Sequence, residues 1–232
     1  QGVGSGEMSD MGGKVVTTLV ARYDTEIAER EIPYLRGAVI QAAGRNNVLL
    51  HNHVDNKLRY SYPMVQYKRI DGRAAIVCID TGLEAVHDII ALDLPQVRLG
   101  RRITALPAPA LELEETEVAL TDEMHTYRAT RYFPLNQDNH RRYNATDSIV
   151  ERYRLVEQCI VGNILSFAKG IGVFFDGTVT AQLIAVSHTE LYDFKDIKLR
   201  GFDLVFKTNV RMPSYIGLGK HASLGAGTII QI

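Results

Sequence analysis

The chain has 232 residues, of which 46% are hydrophobic and 23% charged, with a formal net charge of −1. This is the balance of a soluble globular chain long enough for one large domain or two small ones. The near-neutral charge excludes indiscriminate binding to nucleic acid through a generally basic surface, while leaving room for one local basic patch.

No apolar run reaches the ~18 residues of a membrane span, and the N-terminus lacks the basic and apolar regions of a secretory signal. Residues 1–13 read as a flexible segment or a cloning remnant. Cys78 and Cys159 lie far apart in apolar surroundings. They read as buried free thiols, and a cytoplasmic protein is expected.

Lys14 to Tyr23, rich in Val and Thr, reads as a strand. A helix follows, with Pro33 near its start, Leu35, Ala38, Val39 and Ala42 along it, and Gly44 as its stop. Leu58 to Ile70 reads as a strand interrupted by Pro63. Asp71-Gly72 signals a two-residue hairpin into the apolar strand Ala74 to Ile79. Thr81 and Glu84 have capping-box spacing before a short helix with Leu83, Val86, Ile89 and Ile90 on one face. A strand within Val97 to Leu106 completes the order β-α-β-β-α-β, the ferredoxin-like arrangement. Leu94 to Ala110 holds three of the seven prolines and reads as a link.

The second half repeats this order. Leu111 to Phe133 is expected to hold one or two strands, and Asn136 to Asn144 a polar loop with a basic knot at His140, Arg141 and Arg142. Ser148 and Glu151 again have capping-box spacing. Behind them Ile149, Tyr153, Val156, Ile160, Ile164 and Phe167 recur at helical steps up to Gly170. Ile171 to Phe175 and Thr178 to Ser187 read as a hairpin around Asp176-Gly177, followed by strands at Lys198 to Val210 and Thr228 to Ile232. The expectation is an α+β protein of two tandem ferredoxin-like (βαββαβ) units, 14–107 and 108–232. The second is irregular and ends in a Gly-rich loop, residues 211–228.

That loop carries Gly217, Gly219, Gly225 and Gly227 with Arg211, Tyr215, Lys220, His221 and Ser223 among them. A basic, glycine-rich loop reads as an anion cradle or as a tight connection between strands. It is not a P-loop: Ser214 stands where the first glycine belongs, and His221 where Ser or Thr belongs. It is not a dinucleotide fingerprint either, because too little chain follows for a helix and a strand.

A second cluster, His51, His53, Asp55, Lys57, Arg59 and Tyr60, lies after the first helix. Imidazoles near cations suit acid–base chemistry on a phosphodiester. His51, His53 and Asp55 also match part of the ligand motif of metallo-β-lactamase-like hydrolases, but Asn56 stands where that motif has histidine. A polar surface loop is the plain alternative.

Taken with the doubled fold, Pro213 to Thr228 resembles the C-terminal glycine-rich loop of the CRISPR-associated endoribonucleases that process repeat RNA, within the RAMP superfamily. Tyr62-Pro63-Met64-Val65-Gln66-Tyr67-Lys68 is similar to one branch of that family, and His51 falls where many members keep a catalytic histidine. The resemblance implies cleavage without metal or other cofactor, leaving a 2′,3′-cyclic phosphate and a 5′-hydroxyl. It makes His51 the proton-transfer residue with His53 as second choice, and gives Lys57 or Arg59 to the charged phosphate. Arg211, Tyr215, Gly217, Gly219, Lys220, His221, Ser223 and Gly225 would hold RNA, with Arg141 and Arg142 on a repeat stem. The implied partners are CRISPR repeat RNA and CRISPR effector subunits, with a homodimer allowed and no membrane. Alternatives are a non-catalytic RNA-binding subunit and, more remotely, a metal-dependent hydrolase.

Overall fold

The first strand, β1 (Gly13–Glu26), is buried over most of its length, with Val16 and Val20 on one face and Leu19, Ala21 and Tyr23 on the other. A strand covered on both sides belongs at the centre of a sheet. In a computed structural model, which describes residues 12–43, 53–54, 57–58, 62–194 and 197–232, β1 lies inside a seven-stranded antiparallel sheet. Helix α1 (Ile32–Ala43) buries Ile32, Leu35 and Val39, a stripe of helical spacing.

A two-residue ladder, β2 (His53–Val54) with β3 (Lys57–Leu58), follows. The strand expected over Leu58 to Ile70 is therefore divided, and its sheet portion is β4 (Val65–Ile70). Asp71 and Gly72 turn at positive φ, 50° and 83°, as a two-residue hairpin requires, into β5 (Arg73–Ile79). Every residue of β5 from Ala74 onward is buried. Ala74, Ile76 and Cys78 face the α1 side, while Ala75, Val77 and Ile79 face a second core.

The capping box expected at Thr81 and Glu84 does not form. Asp80–Ala85 is a 3-10 turn without a side-chain cap, and the helix after it, α2 (Val86–Ile90), has five residues. Asp80 is engaged by Lys14 Nζ at 2.7 Å. A Cβ on Gly82 would overlap the Met64 carbonyl, so the chain bends tightly there.

The strand expected within Val97 to Leu106 is two strands, β6 (Leu94–Leu99) and β7 (Arg102–Leu106). They pair with each other outside the main sheet. Val97, Leu99 and Leu106 close the α1 core from outside. The strand that completes the first unit is instead the first half of β8 (Ala110–Tyr132), where residues 110–119 pair with β1. The order β4-β5-β1-β8 is that of a ferredoxin-like sheet.

β8 continues without a break into the second unit. There β10 (Ile197–Arg211) lies along one edge, and β11 (Thr228–Gln231) lies along the edge that β1 occupies further back. β9 (Ala181–Phe194) pairs with β10. Asn136 to Asn144 is not a loop: Asn136 accepts from the Asn139 N–H and caps α3 (Gln137–Ala145). Ser148 likewise accepts from Glu151 N–H and caps α4 (Ile149–Gly170). α4 buries Val156, Ile160, Ile164 and Phe167 as expected, together with Leu155, and leaves Ile149 and Tyr153 exposed. Residues 171–180 contain no strand, so Asp176-Gly177 is not a hairpin turn; β9 takes its partner from β10.

The second unit thus runs β8, α4, β9, β10, glycine-rich loop, β11, with the loop where a ferredoxin-like unit has its second helix. The main core joins α4 and the second unit's strands to Val16, Val20, Ala75 and Val77 of the first. Each unit is therefore covered partly by the other.

Candidate functional site

The glycine-rich loop folds back on itself. Tyr215 N–H donates to Ile229 O (2.7 Å), Leu218 N–H to Gly227 O (2.9 Å) and Ile229 N–H to Ile216 O (2.9 Å). Gly227 N–H donates to Arg131 O (3.0 Å) and Lys220 N–H to Phe133 O (3.3 Å). These bonds tie the loop along β8, and Ala222–Leu224 forms a 3-10 turn at its tip. Two glycines are demanded by this packing. Gly219, at φ 76°, is wedged between the Phe133 carbonyl, Tyr132 and Asn163 of α4; Gly227, at φ 62°, leaves no room for a Cβ beside the Leu218 carbonyl. The loop is a built, closed element, and several of its N–H groups are already committed to the protein.

Its other anchors come from β4. Gln66 and Lys68 sit two apart and so share a face, opposite Val77 and Ala75 of β5. Both are fully buried. Gln66 Oε1 accepts from Gly217 N–H at 2.8 Å. Gln66 Nε2 donates to the Tyr62 hydroxyl at 2.9 Å, which donates to Gly217 O at 2.8 Å. Both polar groups of the Gly217 peptide are thereby held by the first unit. Burial pushes the Tyr62 phenol well above its ordinary value, although its hydrogen bonds work against the rise, so it stays neutral. Lys68 Nζ donates to Thr228 Oγ1 at 2.9 Å, and Thr228 Oγ1 donates to Gly225 O at 3.2 Å. Burial alone lowers the Lys68 amine from 10.5 to about 7.

The named loop residues occupy different places on this frame. Arg211 ends β10, half-buried, with Nη1 3.7 Å from Glu117 Oε2. Tyr215 lies under the Arg22 guanidinium, 4.9 Å from ring centre to Cζ. Lys220 and Ser223 are half-buried, so Lys220 is neither sealed in the core nor fully extended into solvent. His221 is exposed, at φ 59°, beside the Phe133 ring. Its pKa is lowered by desolvation first and by the Lys220 and Arg131 charges next. Arg141 and Arg142 are exposed on a separate element, α3, with Arg141 paired to Asp138.

Of the second cluster, His51, Asp55, Arg59 and Tyr60 lie outside the described residues, and His53 and Lys57 enter only as members of the β2–β3 ladder. Sequence reasoning did not single out Thr228, Arg131 or Asn163, and it named Gln66 and Lys68 only within a stretch of resemblance. The available signal was two polar residues alternating with Val65 and Tyr67 on a strand, which marks a face that is buried yet polar.

A glycine-rich loop in place of the second helix, sealed between two ferredoxin-like units, defines the class as a RAMP-type protein. The chain matches the family models of the Cas6b N-terminal domain over residues 14–117 and the Cas6b C-terminal domain over residues 119–232. It therefore belongs to the Cas6b family of CRISPR repeat-RNA-processing proteins.

Among solved structures, it is similar to a crystal structure of Cas6b at TM-score 0.86 and 23% identity, covering 94% of this chain and 100% of that one. It is also similar to the CRISPR RNA processing endoribonuclease Cas6b at TM-score 0.71 and 20% identity, covering 94% and 99%. An uncharacterized protein of Methanocaldococcus jannaschii is 28% identical over 148 residues, 62% of this chain and 97% of that protein.

Proposed function

We propose that the protein is an endoribonuclease that cuts CRISPR precursor RNA within the repeat without a metal ion. The observation that carries this reading is the glycine-rich loop. It is held rigidly between the two units by Tyr62, Gln66 and Lys68 and carries Lys220 and His221 at its tip. A fixed loop that carries a lysine and a histidine suits positioning of a phosphodiester.

In the reaction, a ribose 2′-oxygen attacks the adjacent phosphorus and its proton passes to a base. The 5′-oxygen leaves and takes up a proton, so the products are a 2′,3′-cyclic phosphate and a 5′-hydroxyl. His51 is the proton-transfer residue, with His53 as the other choice. Lys57 or Arg59 balances the charge on the pentavalent phosphate. Arg211, Tyr215, Lys220, His221 and Ser223 hold the RNA backbone through their side chains, Gly217, Gly219 and Gly225 shape the loop that presents them, and Arg141 and Arg142 take its stem.

The test is cleavage of the cognate repeat RNA in EDTA. The expected result is full activity in EDTA and a loss of at least about 100-fold in His51→Ala. Abolished cleavage in EDTA overturns the metal-free mechanism and turns attention to His51, His53 and Asp55 as ligands. Full activity of His51→Ala removes His51 from the site. Tight binding without cleavage by the intact protein identifies an RNA-binding subunit instead.

A further inference from the structure

Lys68 is a fully buried amine beneath a loop proposed to hold phosphate, and its polar contact is the uncharged Thr228 hydroxyl. Among the described residues no ion pair includes it.

The charged and titratable groups on the surrounding elements lie elsewhere or have partners of their own. Arg22 of β1, across Ala75 on the same face as Lys68, pairs with Glu112 at 2.9 Å and lies over Tyr215, and Arg131 of β8 pairs with Glu29 at 3.4 Å. On its own strand Tyr67 faces the opposite side of the sheet, towards α1, where Arg36 acts on the phenol; Arg69 alternates to that side too and donates to Ile27 O. On β5, Cys78 also faces away, and Arg73, on the same face as Lys68, pairs with Asp24 at 2.8 Å. Lys220 and His221 enter the 3-10 turn that packs on β4. Tyr62 is committed to Gly217. The loop passes directly over Lys68: a Cβ on Gly225 would lie 3.6 Å from the Lys68 Cα.

We propose that Lys68 is a positioning residue of the loop, ordering the Gly225 turn through Thr228 and taking up a proton when the loop holds an RNA phosphate. This rests on the RNA-binding reading of the loop. A buried amine without a counter-charge holds its proton weakly, as the fall to about 7 reflects. An anion seated on the far side of the loop supplies the missing charge through a medium of low dielectric and favours the ammonium form. Lys68 thus adds charge attraction to the site without facing solvent. It also couples RNA affinity to pH: binding weakens as pH rises from the free-state value of about 7 towards the raised value of the bound state, and levels off above it, where the amine is neutral in both states.

The experiment is titration calorimetry with 2′-O-methylated repeat RNA, which cannot be cleaved, in two buffers of different ionisation enthalpy near pH 8. Ordinary histidines are neutral there. The wild type is expected to take up a measurable fraction of a proton per RNA bound, and Lys68→Met to lose that fraction. Thr228→Val keeps the amine but removes its link to Gly225, and is expected to weaken binding severalfold. Tight binding by the wild type without proton uptake, undiminished uptake in Lys68→Met, or unchanged affinity in Thr228→Val overturns the proposal while leaving the RNA reading in place. The wild-type measurement stands even where a variant fails to fold. Failure of the wild type to bind repeat RNA, or full affinity in Lys220→Ala with an unchanged salt dependence, overturns the reading of the loop itself and this proposal with it.

Discussion

Lys68 shows how one residue can cost stability and still be placed with care. Its folded-state amine lies at about 7 against an ordinary 10.5, so the folded state binds fewer protons than the unfolded state between those values. Stability therefore rises with pH across that window, and below it both states are protonated and the burial cost is fully present. Replacing the amine by a methionine of similar length removes the cost. Lys68→Met is expected to melt several degrees above the wild type at pH 6, with the gap closing as pH climbs from about 7 towards 10. Thermal unfolding followed by circular dichroism across that range checks it. A variant that melts below the wild type at pH 6 would show that the hydrogen bond to Thr228 outweighs the desolvation of the charge. The alternation of Gln66 and Lys68 with Val65 and Tyr67 is the local trace of this environment; the partners themselves are not legible, because Thr228 is 160 residues away and Gln66 meets Gly217 across 151.

At the level of elements, what local chemistry decides was legible and what distant pairing decides was not. Asp71-Gly72 makes its turn because the turn needs only two residues at positive φ. The periodic face of α4 finds its core except at Ile149 and Tyr153, in the first turns, where the core has ended. Asp176-Gly177 carries the same signal and makes no hairpin, since β9 pairs with β10 rather than with the preceding segment. Asn136, an N-cap, was a helix signal hidden by the polarity of α3. The glycine-rich loop was recognised as an anion cradle or a tight connection between strands; its glycines prove to serve close packing. Two substitutions separate these uses of glycine. Gly227→Ala places a Cβ against the Leu218 carbonyl at φ 62° and is expected to cost more than about 2 kcal/mol, or to abolish the loop's packing. Gly37→Ala, on the exposed side of α1 with open space around it, is expected to stabilise by about 0.5–1 kcal/mol. Urea unfolding of both variants measures the contrast, and equal effects would refute it.

Across the whole molecule, the two units are joined by more than a linker. β8 is the last strand of the first unit and the first strand of the second, and it runs through both without a break within one sheet. The main core takes Val16, Val20, Ala75 and Val77 from the first unit and Ile160, Ile164, Phe206 and Met212 from the second. Tyr62 and Gln66 fasten the glycine-rich loop of one unit to the sheet of the other. Opening either unit alone would expose the shared apolar face and break β8 from its partners, so a state with one unit folded has little to stabilise it. The expected outcome is one cooperative transition, with calorimetric and van't Hoff enthalpies equal and with tyrosine fluorescence and far-ultraviolet dichroism superimposable. Two resolved transitions, or a calorimetric enthalpy well above the van't Hoff value, would mean that the units unfold separately. Tyr62→Phe sharpens the test: it keeps the ring against Phe167 and removes the hydroxyl that holds Gly217. If the units form one cooperative body, losing about 1 kcal/mol there lowers the single melting temperature without dividing the transition. If the latch alone holds them together, the same change splits the transition in two.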